Sequence, residues 1–461
     1  MSRTLVAGLD LGSTGVKILI SDSEGREILI HQLPTPWISG PGGTTTMTAN
    51  DLASTISDLL SETATELIAL VGEDAANIRA LAVSGMGESG VLIDSNGTAI
   101  TPALAWFDPR GQEQVDALPT SITQQFAGRT GLPLGVQVSV IKLLYLRDTG
   151  INLAGTRWMN LPEFVVTALG GDVVSEYSLA SRTGLLDQDT ATPWTEILDY
   201  LGVDESFLPP LTDAGALLGR ASPDRVPDAF GGALLTVAGH DHLVSAVSSG
   251  DFPADRYHVS MGTAEVLLRM IEHPLPFEAR ERLASSLINC VRHVVPGTWV
   301  LVAGVKTGLV MRRMLQLYGI TDRAGRDALD EQIMALSLEG SLQPGAIKVS
   351  GARNDDGVFT LTVHADGAGP AETFSAALRH GNDELQILVD AMDREVPPAT
   401  SSLLTGGWAS MRAVQRARAA VLPTTQVSTR SQDTAFGASL FARRLLDHEE
   451  VNTALGSVPN L

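Results

Sequence analysis

The sequence predicts an α/β fold with mixed β-sheets, because strand-like and helix-like periods alternate over the first hundred residues. Three short apolar runs separated by turn residues indicate an antiparallel meander. These runs cover residues 5–9, 16–20 and 28–30. Apolar residues over 52–71 then recur at helical spacing, with Asn50 and Asp51 as candidate capping residues. Strand-like runs resume at 78–83 and 91–93, and this order of elements predicts a mixed sheet.

A similar strand, turn and strand recurs in the second half of the chain. The first copy lies within residues 5–20 and the second within 257–268, and in each a strand ends in a glycine followed by a hydroxyl residue. Two copies of one unit predict two related domains that face each other across a cleft. We place the boundary near 249–253, which gives domains at 1–250 and 251–461.

The composition is that of an ordinary globular protein. With 461 residues, 44% of them hydrophobic, the chain can bury a large core. The formal charge of -21, from 53 acidic and 32 basic residues, argues against binding nucleic acid or an anionic membrane surface. No apolar run approaches the ~20 residues of a membrane span, and the N-terminus has no signal-peptide pattern. The single cysteine, Cys290, is expected to be a buried small hydrophobe. We therefore expect a cytoplasmic protein.

A strand-like apolar run at 233–239 predicts the catalytic base, because it stops on a glycine and delivers Asp241. A carboxylate at a strand end can deprotonate a hydroxyl. The same aspartate suits the N-cap of a helix over 243–248, and both roles are compatible because a cap uses one oxygen. His240 and His242 flank it and could bind a metal from one face of a strand. We favour the base, since no third metal ligand is apparent nearby.

A second aspartate, Asp10, also follows an apolar strand and precedes a small, hydroxyl-rich turn. Gly12, Ser13 and Thr14 can hold phosphate oxygens, and a carboxylate beside them can serve Mg²⁺. One carboxylate that deprotonates a hydroxyl and one beside a phosphate-holding turn are the minimum parts for phosphoryl transfer. Asp10 and Asp241 together therefore predict that reaction.

Residues 85–90 match the glycine pattern of dinucleotide-binding proteins, but their context differs. A strand-like run at 91–94 follows, where the pattern needs a helix whose N-terminus holds the pyrophosphate. We therefore do not expect NAD binding. Glu88 lies between small residues at the strand end. It either accepts hydrogen bonds from ligand hydroxyls in a cleft or is a solvated loop glutamate, and the sequence leaves both open.

Two further segments are candidates for ligand contact. Trp106, Asp108 and Arg110 put an indole, a carboxylate and a guanidinium on one short turn. This turn is either a binding segment or a surface turn with a weak ion pair. Near the C-terminus a strand ends in Gly406 and Gly407, and glycines there let a flat ligand or a phosphate approach the backbone closely.

In their order and spacing these segments resemble the FGGY family of carbohydrate kinases over nearly the full chain. The resemblance implies two actin-like, ribonuclease H-like domains flanking a central cleft, with the sugar and the base in the first domain and the nucleotide in the second. It makes Asp241 the general base and Asp10 the Mg²⁺ ligand. The other implied contacts are Gly12, Ser13, Thr14, Lys17, Gly262, Thr263, Gly308, Arg312, Gly406, Gly407 and Met411 for ATP, and Gly87, Glu88, Trp106, Asp108 and Asp241 for the sugar. Segments 142–146, 178–184 and 433–438 also stand at places typical of the family.

The sequence departs from the family pattern at three of these positions. Gly87 stands where glycerol kinases carry an arginine, and Arg312 where they carry a glutamine. Met411 stands where some members carry an asparagine near the adenine. The missing arginine weighs against glycerol as the substrate. The motif variants resemble a xylulokinase-like or fuculokinase-like branch, which implies a ketose acceptor.

The implied reaction transfers the γ-phosphate of ATP to a sugar hydroxyl, with ATP and Mg²⁺ as cofactors. An aspartate of ordinary pKa is ionised at neutral pH, so Asp241 needs no large shift to act. Three alternatives stay open: a polyol kinase of the glycerol or erythritol type, an ATPase of the same fold, and a sugar sensor without phosphorylation. The expected partner is a small sugar, with neither nucleic acid nor membrane. If the chain associates with itself, we expect a homodimer.

Overall fold

The structure is a computed structural model that describes residues 4–250, 252–337, 342–353, 358–428, 430 and 432–456. Asp251, at the predicted domain boundary, lies outside the described residues. Within the described part of the chain, no helix has both the length and the apolar character that crossing a membrane requires.

The first half of the chain alternates strands with mostly short helices. Its strands are β1 Leu5–Leu11, β2 Gly15–Asp22, β3 Glu27–Pro34, β4 Ile38–Ser39, β5 Thr45–Met47, β6 Ile78–Gly85, β7 Gly90–Ile93, β8 Ala103–Leu104, β9 Arg157–Asn160, β10 Ser175–Glu176, β11 Leu186–Asp187, β12 Thr192–Pro193, β13 Leu211–Thr212 and β14 Leu234–His240. Its helices are α1 Ala49–Val71, α2 Gln112–Asp116, α3 Thr120–Thr130, α4 Ser139–Asp148, α5 Leu161–Ala168, α6 Tyr177–Ala180, α7 Thr195–Leu201 and α8 Asp241–Val247.

The second half has longer helices around one larger sheet. Its strands are β15 Arg256–Met261, β16 Glu265–Ile271, β17 Asn289–Arg292, β18 Trp299–Val305, β19 Ile347–Ser350, β20 Thr360–Val363, β21 Ser401–Thr405 and β22 Thr425–Val427. Its helices are α9 Phe277–Ser285, α10 Thr307–Leu317, α11 Arg323–Ala335, α12 Pro370–Asp393, α13 Arg412–Arg418 and α14 Asp433–Gly456.

The central sheet of the first half has five strands in the order β14-β6-β1-β2-β3. β1, β2 and β3 form the predicted antiparallel meander, while β6 and β14 run parallel to β1. The predicted mixed sheet and α/β class are confirmed. Because β1, β6 and β14 are parallel neighbours, their C-terminal ends meet at one edge of the sheet. We call this edge, formed by residues 10–14, 84–89 and 239–242, the first edge.

The sheet of the second half repeats this arrangement. Its order is β17-β18-β16-β15-β21-β22, with β15 antiparallel to β16 and parallel to β21, and β22 parallel to β21. β15 and β16 therefore correspond to β1 and β2, and β21 corresponds to β6, so the repeat seen in the sequence is also present in the fold. The C-terminal ends of β15 and β21 form what we call the second edge, residues 261–264 and 405–407.

The last helix returns to the first sheet. α14 packs against β1 and α8, and the carboxylate of Asp433 accepts a hydrogen bond of 3.1 Å from the Ser248 hydroxyl. Phe441 belongs to the same hydrophobic cluster as Leu243 and Val244 of α8. The division at 1–250 and 251–461 stays a prediction, and α14 is the part of the second range that lies on the first sheet.

The start of α1 differs from the prediction. Thr48 is the N-cap residue, and its side chain accepts a hydrogen bond of 3.0 Å from the backbone N–H of Asp51. The candidate caps Asn50 and Asp51 are wrong, because both already lie in the first helical turn. Thr48 has the extended backbone that a capping residue needs, which places the helix start at Ala49.

Candidate active site

Three predicted site residues meet at the first edge. In the β1–β6 pairing Asp10 lies opposite Ser84, and in the β14–β6 pairing His240 lies opposite Gly85. Glu88 follows the end of β6, and Asp241 follows the end of β14. Three adjacent parallel strands therefore deliver three carboxylates to one place, at the kind of edge where open α/β sheets bind ligands.

Asp241 is the first residue of α8, so the predicted N-cap assignment is wrong. The capping position belongs to His240, which makes no side-chain capping bond. The Oδ1 atom of Asp241 accepts a hydrogen bond of 2.6 Å from the backbone N–H of His242. Burial raises the pKa of Asp241, but the His242 and His240 imidazoles, the His242 N–H and Arg182 together hold that pKa below its ordinary value. Asp241 is therefore ionised at neutral pH.

His240 lies beside Asp241 as a neutral ring. Its ring is buried, and burial lowers its pKa to about 3, so the ring is neutral at pH 7. Its Nε2 atom lies 3.5 Å from Oδ1 of Asp241. The rings of His240 and His242 have centroids 5.5 Å apart. Across the part of the chain that is described, no group of three or more His, Cys, Asp or Glu side chains is arranged to hold a metal ion.

Two serines hold the strand end that carries Asp241. The Ser84 hydroxyl donates to the carbonyl of Gly239 at 3.0 Å, and the Ser178 hydroxyl accepts from the backbone N–H of His240 at 3.0 Å. Ser178 in turn donates to the buried carboxylate of Glu176 at 2.6 Å. Residues 178–184 stood out in the sequence, but the role of Ser178 was missed, since nothing local links it to a strand 62 residues further on.

The buried carboxylate of Asp10 has an ion-pair partner for one oxygen and, within the described part of the chain, no hydrogen-bond partner for the other. The residue is 6% exposed, and its Oδ1 atom has no hydrogen-bond partner among the described residues. The nearest cation is Lys17, whose Nζ atom lies 3.8 Å from Oδ2. Burial raises the pKa of Asp10 to about 7, Lys17 opposes that rise, and the negative charge of Asp241 adds to it. An additional cation bound to this carboxylate would offset the effects of burial and of the Asp241 charge, and would lower the pKa of Asp10.

The turn after β1 is held by side chains that the sequence did not point to. Gly12 N–H bonds to the carbonyl of Gly15 at 3.2 Å, which closes the turn. The Thr35 hydroxyl donates to the Gly12 carbonyl at 2.6 Å, and the Trp37 indole donates to the Ser13 carbonyl at 3.1 Å. With its carbonyls occupied in this way, the turn is fixed while the Thr14 side chain stays exposed.

Trp106 joins the turn of 106–110 to this first turn. Its indole N–H donates to the Ser13 hydroxyl at 3.1 Å, although the side chain is 40% exposed. Its ring also meets Phe107 edge to face, with centroids 5.3 Å apart. The exposed indole therefore lies at the first edge, next to the turn expected to hold phosphate.

Asp108 is fully buried, unlike the exposed surface ion pair that the sequence left as an alternative. Its Oδ2 atom accepts hydrogen bonds from the backbone N–H of Thr45 and from Nη2 of Arg110, both at 2.6 Å, and its Oδ1 atom accepts one from Nε of Arg110 at 2.8 Å. Lys142, also buried, donates to the carbonyls of Asp108 and Arg110. These bonds give the Asp108 carboxylate a role in shaping the turn.

Glu88 is buried, so the solvated-loop interpretation is wrong. The residue is 7% exposed and has a φ of 61°, in the left-handed region that non-glycine residues rarely occupy. Its Oε1 atom accepts a hydrogen bond of 2.6 Å from Nε of Arg182, and Arg182 Nη2 also pairs with it. Burial raises the pKa of Glu88, and Arg182 opposes the rise. Arg182, 94 residues away, was not identified from the sequence.

At the second edge the backbone of small residues is exposed, whereas the first edge carries carboxylate side chains. Gly262 and Thr263 are exposed in the turn between β15 and β16. Gly308, in α10, packs directly beneath this turn. A Cβ atom at 308 would lie 1.9 Å from the Gly262 carbonyl oxygen, so only glycine fits. The backbone N–H of Leu309 donates to the Thr263 carbonyl at 2.8 Å, which fixes α10 against the turn.

The remaining candidate nucleotide contacts lie after β21, on α10 and at the start of α13. Gly406 and Gly407 are exposed just after β21, which pairs with β15 through Thr405 and Ser260. Arg312 is exposed on α10. Met411 is 7% exposed, and its side chain belongs to the hydrophobic cluster of the second half. The structure thus brings the glycines together at one edge, whereas the Met411 side chain packs into the core.

The molecule also has a large groove that lies outside the candidate site. A groove with a volume of about 770 Å³ lies along α1 and the turn after β7, and Asn50, Asp94, Arg157 and Arg225 are among its lining residues. None of the three carboxylates of the first edge lines it. We assign the site by its chemistry, since buried ionisable groups with perturbed pKa values converge at the first edge.

The N-terminal domain model of the FGGY family of carbohydrate kinases matches residues 5–248. A xylulose kinase from Streptomyces rubiginosus is 25% identical over 460 residues, which cover 97% of this chain and 89% of the relative. A rhamnulokinase from Enterococcus faecalis is 26% identical over 182 residues, and there the match spans 38% of this chain and about a third, 36%, of the relative's own length. The structure of a gluconate kinase from Lactobacillus acidophilus superposes with a TM-score of 0.83 at 18% identity, over 97% of this chain and 90% of that one.

Proposed function

The chain belongs to the FGGY family of carbohydrate kinases, and from this premise we propose that it transfers the γ-phosphate of ATP to a hydroxyl of a ketose. The observation that carries the proposal is the convergence of Asp10, Glu88 and Asp241 at the ends of three adjacent parallel strands. The three carboxylates differ in environment, and each environment suits a different task.

Asp241 is the proposed general base. It is ionised at neutral pH because its neighbours hold its pKa below the ordinary value despite burial. Its Oδ1 atom is engaged by the His242 N–H, which leaves Oδ2 to accept the proton of the acceptor hydroxyl as that oxygen attacks phosphorus. Ser84 and Ser178 fix the strand end, so the carboxylate keeps one orientation through the reaction.

Asp10 is the proposed ligand of Mg²⁺. The fit rests on its unpartnered Oδ1 atom and on its pKa of about 7, both of which indicate a carboxylate that lacks a cation. Mg²⁺ commonly takes one or two protein carboxylates and completes its shell with water and substrate phosphates, so a single aspartate is sufficient. When bound, the ion would neutralise phosphate charge. The Gly12, Ser13 and Thr14 turn, with Lys17 nearby, would position the phosphate oxygens.

The second edge is the proposed nucleotide side. Exposed backbone at Gly262, Thr263, Gly406 and Gly407 leaves room for phosphates and a flat ring to approach closely. We propose that Gly308 acts by supporting the turn and that the exposed Arg312 reaches the nucleotide. For Met411 we propose a backbone contribution at the start of α13, because its side chain is packed in the core.

The acceptor side is proposed to consist of Glu88, Trp106 and the backbone at Gly87. Glu88 offers a buried carboxylate to sugar hydroxyls, and the exposed Trp106 ring, bonded to Ser13 at the same edge, offers an apolar face. Asp108 is proposed to support this wall through its bonds to Thr45 and Arg110. A ketose is favoured over glycerol because Gly87 stands where glycerol kinases carry an arginine, and a xylulose kinase is among the relatives.

A coupled ATP assay over a panel of acceptors tests this proposal. The panel contains ketopentoses, 6-deoxyketohexoses, erythritol, glycerol and gluconate, each with Mg²⁺ and with EDTA. We expect ADP formation that requires both acceptor and Mg²⁺ and that is fastest with a ketose. ADP formation independent of any acceptor would indicate an ATPase, and glycerol as the best acceptor would indicate a polyol kinase. Binding of a sugar without turnover would indicate a sensor.

A further inference from the structure

Arg182 is a buried cation at the first edge to which the proposed mechanism gives no task. Its side chain is 12% exposed. Nε donates to Glu88 Oε1 at 2.6 Å, and Nη2 pairs with the same carboxylate. The third nitrogen, Nη1, is buried and has no hydrogen-bond partner among the residues that the structure describes. Burying a charged donor without an acceptor is costly, so a guanidinium held this way indicates a missing partner.

The backbone at 87 and 88 is arranged around this side chain. A Cβ atom at Gly87 would lie 3.0 Å from Cγ of Arg182 and 3.0 Å from Cδ2 of His240, so a side chain at 87 would compete with Arg182 for space. Glu88 keeps a left-handed backbone, with its carbonyl bonded to the Ser139 hydroxyl at 2.9 Å. Strained residues held by their surroundings cluster at functional sites.

Arg182 also acts electrostatically on the proposed base. It is one of the groups that hold the pKa of Asp241 low, together with His240 and His242, and it opposes the rise in the pKa of Glu88. Arg182 is thus within electrostatic range of both carboxylates that would face the acceptor. The side chain of Arg182 and the ring of His240, which precedes Asp241, lie on the same side of Gly87, each 3.0 Å from the position of a Cβ atom there.

We propose that Arg182 is a specificity-determining residue of the acceptor site. Its Nη1 atom donates a hydrogen bond to an acceptor oxygen other than the hydroxyl that is phosphorylated, while Nε and Nη2 hold Glu88 in place. This inference rests on the proposed function and deepens it. The Nη1 atom of Arg182 is a hydrogen-bond donor with a fixed direction. The acceptor must therefore carry a second oxygen at a defined distance from the hydroxyl that is phosphorylated.

The charges of the site restrict the acceptor further. Arg182 is paired with Glu88, and Asp241 is ionised, so these three side chains offer the acceptor no unpaired positive charge. The Nε and Nη2 atoms of Arg182 already bind Glu88. The remaining Nη1 atom alone cannot form the two parallel hydrogen bonds by which arginine binds a carboxylate. The acceptor class is therefore a neutral polyhydroxy compound, such as a ketose, and neither a sugar acid nor a sugar phosphate.

Steady-state kinetics of an Arg182→Lys variant test the assignment. Lysine keeps the positive charge beside Glu88 but lacks the fixed third donor. The KM for the best acceptor of the panel should rise roughly ten- to hundredfold, because hydrogen bonds to charged groups are worth that much. The KM for ATP and the affinity for ADP should stay within twofold. On the deoxy analogue that lacks the contacted oxygen, wild type and variant should have the same KM.

Two further variants control for folding. Arg129 is a partly buried arginine that donates to the Asp187 carboxylate at 2.7 Å, away from the first edge, so Arg129→Lys should leave both KM values unchanged. Arg182→Met leaves Glu88 without its cation, and such variants can fail to fold. The double variant Arg182→Met with Glu88→Gln removes both charges and should fold and bind ADP normally. Because Glu88 is itself a proposed acceptor contact, the acceptor KM of the double variant is compared with that of Glu88→Gln alone and should be the higher of the two.

The outcomes separate this inference from the proposed function. A wild-type protein that phosphorylates no member of the panel would overturn both. An active wild type whose Arg182→Lys variant keeps its acceptor KM, or loses affinity for acceptor and ATP equally, would overturn only the role of Arg182. Faster turnover of gluconate than of every ketose would also overturn it, because the charge argument excludes a sugar acid.

Discussion

The two strand-end edges of the molecule share a topology but present opposite chemistry. At the first edge, the ends of β1, β6 and β14 deliver Asp10 and Glu88, which are buried, and Asp241, whose side chain is 20% exposed. At the second edge, the equivalent ends of β15 and β21 are followed by exposed small residues, among them Gly262 and Gly406. One architecture thus provides a charged wall in one half and open backbone in the other. The difference suits a reaction in which one half acts on the acceptor and the other holds the nucleotide.

The substitution with the largest expected effect is Asp241→Asn, because it removes the proton acceptor and keeps its shape. The kcat should fall roughly 10²- to 10⁴-fold, with nucleotide affinity preserved. Kinetics together with ADP-binding calorimetry measure the two effects. Asp22→Asn is the matched control, since Asp22 is a buried aspartate of the same sheet bonded to Arg26, and that variant should lose stability but keep its kcat. More than half of the wild-type kcat in Asp241→Asn would end the assignment of the base.

Glu88→Ala should weaken sugar binding at the first edge and have little effect on ATP binding at the second. Loss of hydrogen bonds to a charged carboxylate corresponds to a rise in sugar KM of roughly ten- to more than hundredfold. The ATP KM at saturating sugar should change far less, because the nucleotide is proposed to lie at the second edge. Because the alanine also leaves Arg182 unpaired, thermal melting and the isosteric Glu88→Gln should be measured beside it. Equal losses for ATP and sugar would contradict a division of labour between the edges.

Asp10→Ala should act through the metal and leave the proton step intact. The Mg²⁺ concentration for half-maximal rate should rise at least about tenfold with every sugar, because a desolvated carboxylate and a cation attract by more than about 1.4 kcal/mol. Superimposable Mg²⁺ titrations of variant and wild type would make Asp10 a purely structural residue.

The pH dependence of stability provides a second measurement on Asp10. Its pKa in the fold is raised from 3.8 to about 7, so without metal its contribution to stability is fully present below pH 4 and is lost as the pH rises through 7. Mg²⁺ binds the ionised form, so it should raise Tm more at pH 8 than at pH 5. This difference should disappear in Asp10→Asn, and its persistence would place the metal elsewhere.

The smallest expected effect concerns the second edge. In Gly308→Ala the new methyl group would lie 1.9 Å from the Gly262 carbonyl oxygen, so the turn must shift. Stability should fall by about 1–3 kcal/mol, as for other overpacked sites. The ATP KM should rise while the sugar KM stays constant. Gly231→Ala is the control, because a Cβ atom there meets its nearest neighbour at an ordinary 3.4 Å. A rise confined to the sugar KM would reverse the roles of the edges.

The sequence by itself determined the elements that depend on local pattern. Alternating apolar periods and turn residues predicted β1 to β3 and α1, and the recurrence around Gly262 predicted the second hairpin. Strand ends marked by a small residue located Asp10 and Asp241, because a residue just after a buried strand must lie at a sheet edge. The family resemblance added the sugar and nucleotide segments, and the match over residues 5–248 supports it.

Only the tertiary structure decided the environment of each side chain. Glu88 is buried because Arg182 lies against it, and Asp108 is buried because the Thr45 backbone and Arg110 use its oxygens. The Ser13 turn is held by Trp106, 93 residues away. Such contacts join segments with no common local pattern, and burial, hydrogen bonding and pKa depend on these distant partners. Local periodicity therefore predicts where a strand ends, while the fold decides what the residue at its end can do.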